Sequence, residues 1–214
     1  MIRVLASLSL VLCLSVLGAA QQTGLTDDMI RSAEREVPQL VDLLELKPGM
    51  TVADVGAGFG AWTVRFARAV GPTGRVYATD LGAPQLAALR QYVEKEKLTN
   101  VIVLEGAETS TNLPFTCCDA VLLRDAFHHL TRPEDMILSL AAALKPGGRL
   151  AVVDFPPRPN TEVPAGVPAN RGGHGVPQAV VEREVGAVLT HVRTIPMWSS
   201  GNQSDLFLTL FRKP

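Results

Sequence analysis

Hydrophobic positions follow two different spacings along this chain, and the two alternate. Short apolar runs predict buried strands at 51–55, 75–79, 101–104, 120–123, 150–154, 192–197 and 206–211. Between them, apolar residues recur every three or four positions, as on a helix with one buried face. Such helices are predicted at 26–45, after Gly60, around Leu86, Leu89 and Val93, around Ile137, Leu140, Ala141 and Leu144, and from Pro177 through Val181, Val185 and Val188.

Turn and cap residues separate these predicted elements. Thr26, followed by Asp27 and Asp28, can cap the first helix, because side-chain oxygens accept hydrogen bonds from the free amides of a helix start. Glycine and proline turns occupy 71–74 and 144–148, and a short turn at 199–202 joins the last two strands. The sequence therefore predicts one doubly wound α/β domain: a mostly parallel seven-stranded sheet, helices on both faces and an antiparallel last strand.

The first twenty residues have a different pattern. A basic start at Arg3 precedes an apolar run, and small residues follow up to Ala20. This order is typical of a secretory signal, so we expect a signal peptide at 1–20 and a single domain at 21–214. An uncleaved anchor and a misassigned start are the alternatives. The expected location is the bacterial periplasm, or the cytoplasm if the signal is not used.

Composition limits the partners and the covalent constraints. The chain has 214 residues, 47% of them hydrophobic, with a net charge of -1, which argues against nucleic acid as a partner. Cys117 and Cys118 are adjacent and cannot join distant segments, so we expect buried small side chains, with a vicinal disulfide as the alternative. We expect no stable membrane span after processing, and a monomer or homodimer.

A glycine-rich loop follows the first predicted strand. Gly56, Gly58 and Gly60 stand in G-x-G-x-G spacing behind Asp54, and Asp80 ends the next strand. Glycines let a ligand approach the main chain closely. A carboxylate at the end of the second strand can accept hydrogen bonds from ribose hydroxyls. A tight turn without a ligand is the alternative. The spacing differs from the dinucleotide fingerprint G-x-G-x-x-G.

Four motifs in order resemble a known family. The segments 52–60, 77–81, 112–121 and 144–150 are similar to those of class I S-adenosylmethionine-dependent methyltransferases, in particular the methyltransferase type 11 and type 25-like groups. The resemblance implies S-adenosylmethionine as cofactor and methyl transfer to an unidentified small-molecule acceptor. A non-catalytic binding domain that retains the fold and a nicotinamide-dependent oxidoreductase are the alternatives.

The resemblance also implies a set of cofactor-binding residues. They are Asp54, Gly56, Ala57, Gly58, Asp80, Leu81, Ala107 and Arg124. The main chain of 56–58 would line the methionine part, Asp54 would orient that loop or reach the amino group, and Asp80 would hold the ribose with Leu81 beside the adenine. Ala107 departs from the family pattern, in which an aspartate often follows the preceding glycine. Main-chain contacts or Glu108 would have to serve there.

Polar residues after the fourth predicted strand are the candidates for chemistry. Arg124 either pairs with the cofactor's carboxylate or with Asp125. We expect His128 and Asp125 to be catalytic, with packing as the alternative for the histidine pair 128–129. We expect no metal site, because His128, His129 and His174 lack an acidic or thiol partner at the spacing of a zinc site. The segment 156–176 is either a lid or acceptor loop, or a flexible connector.

Overall fold

The computed structural model describes residues 24–200 and 203–214. The predicted signal peptide at 1–20 and the centre of the turn at 199–202 lie outside the described residues. The strands are β1 Thr51–Val55, β2 Arg75–Asp80, β3 Val101–Glu105, β4 Cys118–Arg124, β5 Leu144–Asp154, β6 Thr190–Ser200 and β7 Gln203–Arg212. The α-helices are α1 Asp27–Leu43, α2 Ala61–Val70, α3 Ala83–Lys95, α4 Pro133–Ala143 and α5 Gln178–Gly186.

The strands form one seven-stranded sheet in the order β3-β2-β1-β4-β5-β7-β6. Neighbours from β3 to β5 pair in parallel, and β7 lies antiparallel between β5 and β6. The predicted fold class, with its antiparallel last strand, is confirmed. The chain runs outward from β1 to β3 and then returns to the other side of β1 as β4. Such a reversal of strand order opens a crevice at the carboxyl ends of the two central strands.

Alternate strand residues supply the two faces of the sheet. Leu122 of β4 belongs to the core beneath α1 and α2, whereas its neighbours Val121 and Leu123 belong to the core beneath α4 and α5. This alternation is what the pleat of a strand imposes, and it confirms helices on both faces. Within residues 24–200 and 203–214, no helix is long and apolar enough to cross a bilayer.

Local signals placed the first helix correctly. The hydroxyl of Thr26 accepts a hydrogen bond from the amide of Met29 at 3.2 Å, so the predicted cap is confirmed. Both described cysteines are free thiols; Cys118 is fully buried, as expected of a small apolar side chain, whereas Cys117 is only half-buried.

Several predicted boundaries were wrong, most clearly those of β5 and α5. The turn at 144–148 belongs to the start of β5, because Leu144 pairs with Cys118 and a register shift follows. The C-terminal segment fixes this irregular start: Gly147 donates to the carbonyl of Lys213 at 3.0 Å. Val188 lies beyond the end of α5 and is partly exposed, because the helix ends at Gly186.

Candidate functional site

A cavity of about 410 Å³ lies at the carboxyl ends of β1, β2 and β4. It is lined by every predicted cofactor-binding residue: Asp54, Gly56, Ala57, Gly58, Asp80, Leu81, Ala107 and Arg124. Asp125 lines it as well. Four separate loops contribute these residues, so the fold brings together what the sequence shows only as separate motifs. Their roles in binding stay predictions.

The glycine loop presents its main chain to open space. Gly56 and Ala57 donate to the carbonyl of Thr79 at 2.8 and 3.0 Å, which ties the loop to β2. Gly58 has a φ of +54°, and a Cβ on it would meet no protein atom within 4 Å. The space beside the main chain of Gly58 is therefore open, and a ligand in the cavity can lie directly against the backbone there.

Asp80 is held in a fixed orientation by backbone amides. Its Oδ2 accepts from the amide of Gly58 at 2.8 Å, and its Oδ1 accepts from Leu81 and Gly82 at 2.8 and 3.1 Å. A carboxylate offers about four acceptor positions, so Asp80 can still accept a hydrogen bond from a ligand hydroxyl. The first bond also couples Asp80 directly to the glycine loop.

Asp54 is a buried carboxyl group at the floor of the loop. It is 3% exposed, and the hydroxyl of Thr63 donates to its Oδ2 at 2.6 Å. Burial raises the pKa of Asp54 from 3.8 to about 6, and the charge of Asp80 adds to this, while the bond from Thr63 opposes it. Near neutral pH, Asp54 therefore carries a charge that the surrounding protein solvates poorly.

Arg124 is held against the cavity by a carboxylate from a distant helix. Its guanidinium lies 3.4 Å from Oε1 of Glu36 and 3.4 Å from Oδ2 of Asp125, and 4.3 Å above the ring of Trp62. Glu36 is fully buried and also accepts from the indole N–H of Trp62 at 2.9 Å. The ion pair between Arg124 and Asp125, one of the two alternatives from the sequence, is therefore present. Binding of a cofactor carboxylate by Arg124 stays a prediction.

Glu36 itself was missed by the sequence reasoning. The available signal was a carboxylate within the buried face of the first helix, where Ala33, Val37 and Leu40 are its neighbours. A charged residue on an apolar helix face needs a buried partner, and this position could have been singled out for that reason.

The loop after β3 closes the cavity without an acidic side chain. Ala107 and Ser110 exchange backbone hydrogen bonds at 2.7 and 3.2 Å, and both line the cavity together with Thr111. Glu108 is not among the described lining residues, and it accepts a hydrogen bond from Thr131 instead. Of the two substitutes proposed for the missing aspartate, the geometry favours main-chain contacts.

The two predicted catalytic residues occupy different positions. Asp125 has a φ of +57°, uncommon for a residue other than glycine, and its partly exposed carboxylate reaches the cavity wall. His128 is 1% exposed and is not among the described lining residues; its Nδ1 lies 2.9 Å from Oδ1 of Asp154. His129 lines the cavity instead, because the 3-10 turn Phe127–His129 directs the two rings differently. This arrangement favours the packing interpretation of His128.

The segment 156–176 is tied to the domain at several points. Val176 donates to the carbonyl of Phe155 at 3.0 Å, and the buried guanidinium of Arg171 pairs with Glu184 at 2.9 and 3.0 Å. These contacts disfavour a flexible connector. The segment supplies none of the described cavity-lining residues, but its His174 packs against His129, with ring centroids 5.7 Å apart.

Two of these histidines have perturbed acidity. Partial burial lowers the pKa of both His129 and His174, and the neighbouring His128 lowers both pKa values further. The carboxylates of Asp125 and Asp154 act in the opposite direction. Both imidazoles are therefore neutral near pH 7.

Comparison with known proteins relates this chain to methyltransferases. Residues 52–148 match the family described as a methyltransferase domain. The ubiquinone/menaquinone biosynthesis C-methyltransferase UbiE of Stutzerimonas stutzeri (strain A1501) is 33% identical over 116 residues, which cover 54% of this chain and 45% of that protein. The chain thus spans about half the length of the curated relatives it matches.

Solved structures agree over a larger part of the chain. A SAM-dependent methyltransferase from Aquifex aeolicus is 25% identical with a TM-score of 0.62, over 86% of this chain and 97% of that one. Phosphoethanolamine N-methyltransferase 2 of Haemonchus contortus, in complex with S-adenosyl-L-methionine, shares the fold at 16% identity and a TM-score of 0.67, over 85% of this chain and 52% of that one.

The matched segment contains the structures that build the cavity. It runs from β1, through the glycine loop and Asp80, to the start of β5. The aligned methyltransferase from Aquifex aeolicus shares this fold, and the loop spacing differs from that of nicotinamide enzymes. The matched segment and the shared fold support a class I S-adenosylmethionine-dependent methyltransferase, with S-adenosylmethionine as its cofactor.

Proposed function

We propose that the protein transfers the methyl group of S-adenosylmethionine to a small, largely apolar acceptor with an aromatic hydroxyl-bearing ring. The observation that carries this proposal is the composition of the cavity wall beside the glycine loop. Apart from the cofactor-binding candidates, that wall is made chiefly by apolar side chains: Leu25, Met29, Phe59, Trp62, Leu130 and Met136. Burial of apolar surface is worth about 25 cal/mol per Å², so such a wall selects an apolar molecule over a charged one.

The residues around the loop fit the cofactor. Gly58 leaves room for a ligand against the main chain, and Asp80 retains acceptor capacity for ribose hydroxyls. Asp54 would attract the cofactor's ammonium group, and Arg124 its carboxylate, so the two charges of the amino-acid part would meet opposite charges.

Bound S-adenosylmethionine supplies a methyl group already activated by the sulfonium. The chain then has to hold the acceptor in line and exclude water. Trp62 and Met136 serve exclusion, because they close the wall with apolar surface. Asp125 lies at the same wall and would take the proton released by the acceptor.

The curated relatives support an aromatic acceptor. Their name assigns carbon methylation in ubiquinone and menaquinone biosynthesis, and the relative from Stutzerimonas stutzeri is 33% identical over 116 residues of this chain. Phenol and hydroquinone rings activate their own ring carbons, and the ring proton that methylation displaces is acidic enough for a carboxylate such as Asp125 to accept.

The test is a methyl-transfer assay with labelled S-adenosylmethionine and two matched sets of acceptors. One set contains hydroquinones and catechols, and the other contains aliphatic amines of similar size. We expect label in the first set alone, with the product located by mass spectrometry. Transfer confined to amines would refute the aromatic acceptor, and S-adenosylhomocysteine binding without transfer to either set would refute the proposed acceptor class.

A further inference from the structure

Three imidazole rings converge beside the cofactor cavity. The ring centroid of His128 lies 4.0 Å from that of His129 and 4.9 Å from that of His174. One ring nitrogen from each residue lies within 4.8 Å of the others. We propose that His128, His129 and His174 bind a divalent first-row transition metal ion of the zinc type, a site beyond the proposed methyl transfer and contrary to the expectation from the sequence that no metal is bound.

His128 has the environment of a metal ligand. The carboxylate of Asp154 lies 2.9 Å from its Nδ1 and also accepts from the amides of His128 and Phe155 at 3.1 and 2.9 Å. A carboxylate can only accept at this position, so Nδ1 is the donor and Nε2 is the ring nitrogen available to a metal ion. A buried carboxylate that orients a histidine in this way is the usual outer partner of a zinc-bound imidazole.

His174 is held in place by its own backbone. Its amide donates to Oγ1 of Thr161 at 2.8 Å, and its carbonyl accepts from the amide of Arg158 at 2.9 Å. Glycines flank it at φ +140° and +122°, and a Cβ on Gly175 would lie 2.6 Å from the carbonyl oxygen of Pro156. The loop therefore needs glycine on both sides of His174, and it delivers this side chain to one location.

The donor set selects the class of metal. Three imidazole nitrogens suit zinc and its neighbours, whereas magnesium and calcium require oxygen ligands. Three protein ligands with one open position form the usual layout of a zinc site that also receives a ligand. His129 lines the cofactor cavity, so the open position adjoins a space that a small molecule can enter.

The rings need only a small movement to close on an ion. Nitrogens bound to tetrahedral zinc lie about 3.4 Å apart, as zinc–nitrogen distances of about 2.0–2.1 Å require. His128 is buried, whereas His129 and His174 keep solvent-accessible surface, so closure on an ion would come from these outer two rings. Asp125 and Asp154 favour a cation there, and Arg158, above the ring of Phe155, opposes it.

Packing of rings without a metal is the competing explanation, and metal titration separates the two. The full chain, stripped with a chelator, would be titrated with Zn²⁺ by calorimetry and with Co²⁺ by visible absorption. We expect one ion per chain and the absorption bands of nitrogen-ligated, four-coordinate cobalt. His174→Ala and His129→Ala should each weaken binding at least about tenfold.

His191 provides the matched control. It is the fourth histidine, lies in β6, and its ring nitrogen bonds to the hydroxyl of Thr194 at 3.0 Å, apart from the cluster. His191→Ala should leave metal affinity unchanged. Circular dichroism and S-adenosylhomocysteine titration show whether each variant is folded, and they report on the cofactor site independently of metal. A wild-type chain that binds neither ion, or equal affinity in the wild type and His174→Ala, would overturn the proposal.

Discussion

Replacing the buried Asp54 by asparagine should stabilise the protein above pH 6 and weaken cofactor binding. Asparagine has the same shape, and its side-chain oxygen can still accept the hydrogen bond from Thr63. It removes only the charge. The charge that would hold the cofactor's ammonium group therefore lowers the free energy of unfolding of the protein without cofactor.

The size of that cost follows from the pKa. The pKa of Asp54 rises from 3.8 to about 6 on folding, chiefly through burial. Between these values the folded state binds more protons than the unfolded state, so stability decreases as pH rises through this window and then levels off. Two pKa units correspond to about 3 kcal/mol at pH 7.5, but to only about 1 kcal/mol at pH 4.5.

Urea unfolding of wild type and Asp54→Asn at these two pH values tests the reasoning. The stability difference in favour of the variant should grow by about 2 kcal/mol from the lower to the higher pH. Asp28→Asn is the control, because its ion pair with Arg31 is exposed and worth less than about 1 kcal/mol. A variant less stable than wild type at pH 7.5, or a difference independent of pH, would refute the burial argument.

Cofactor binding provides the second half of the same test. Loss of a charge-assisted hydrogen bond of about 1.5–3 kcal/mol should weaken S-adenosylhomocysteine binding by Asp54→Asn at least about tenfold at pH 7.5. Wild-type affinity should itself decrease as pH is lowered through about 6, where Asp54 becomes protonated. Calorimetric titration at several pH values measures both, and equal affinities would exclude Asp54 as the ammonium partner.

Asp80→Ala should weaken S-adenosylhomocysteine binding by about 10- to 150-fold, since it removes charge-assisted bonds; unchanged calorimetric affinity would remove Asp80 from the cofactor site. Glu36→Gln should lower stability by about 3–5 kcal/mol in urea unfolding, because it replaces the carboxylate of a buried ion pair with a neutral amide. Glu34→Gln is the matched control, because the carboxylate of Glu34 is exposed. If both variants lowered stability by the same small amount, the ion pair of Glu36 would not stabilise the fold as argued. His128→Ala should lower the melting temperature, because the buried carboxylate of Asp154 loses its side-chain partner. A variant of unchanged melting temperature whose methyl-transfer turnover falls more than about tenfold would support a catalytic role for His128 instead. Full-length protein in bacterial cells should yield a shortened periplasmic form that begins at Gln21, and an intact cytoplasmic product would contradict the expected signal peptide.

Local sequence determined much of the fold and part of the site. Hydrophobic spacing and turn residues depend on near neighbours in the chain, so they located each strand and α-helix of the described residues and the cap at Thr26. The loop around Gly58 and the carboxylate of Asp80 were likewise readable, because parallel strands deliver their carboxyl ends to one edge of a sheet.

Tertiary structure alone decided which side chains meet. Glu36 reaches Arg124 only because α1 packs across the sheet, and β7 enters between β5 and β6 through long-range pairing. His128 is buried and His129 lines the cavity because of a single 3-10 turn, which the spacing of side chains in the sequence does not reveal. His174 joins them from a separate loop. Such contacts come from the packing of distant segments, whose burial energy outweighs local preference, and a linear pattern carries no record of them.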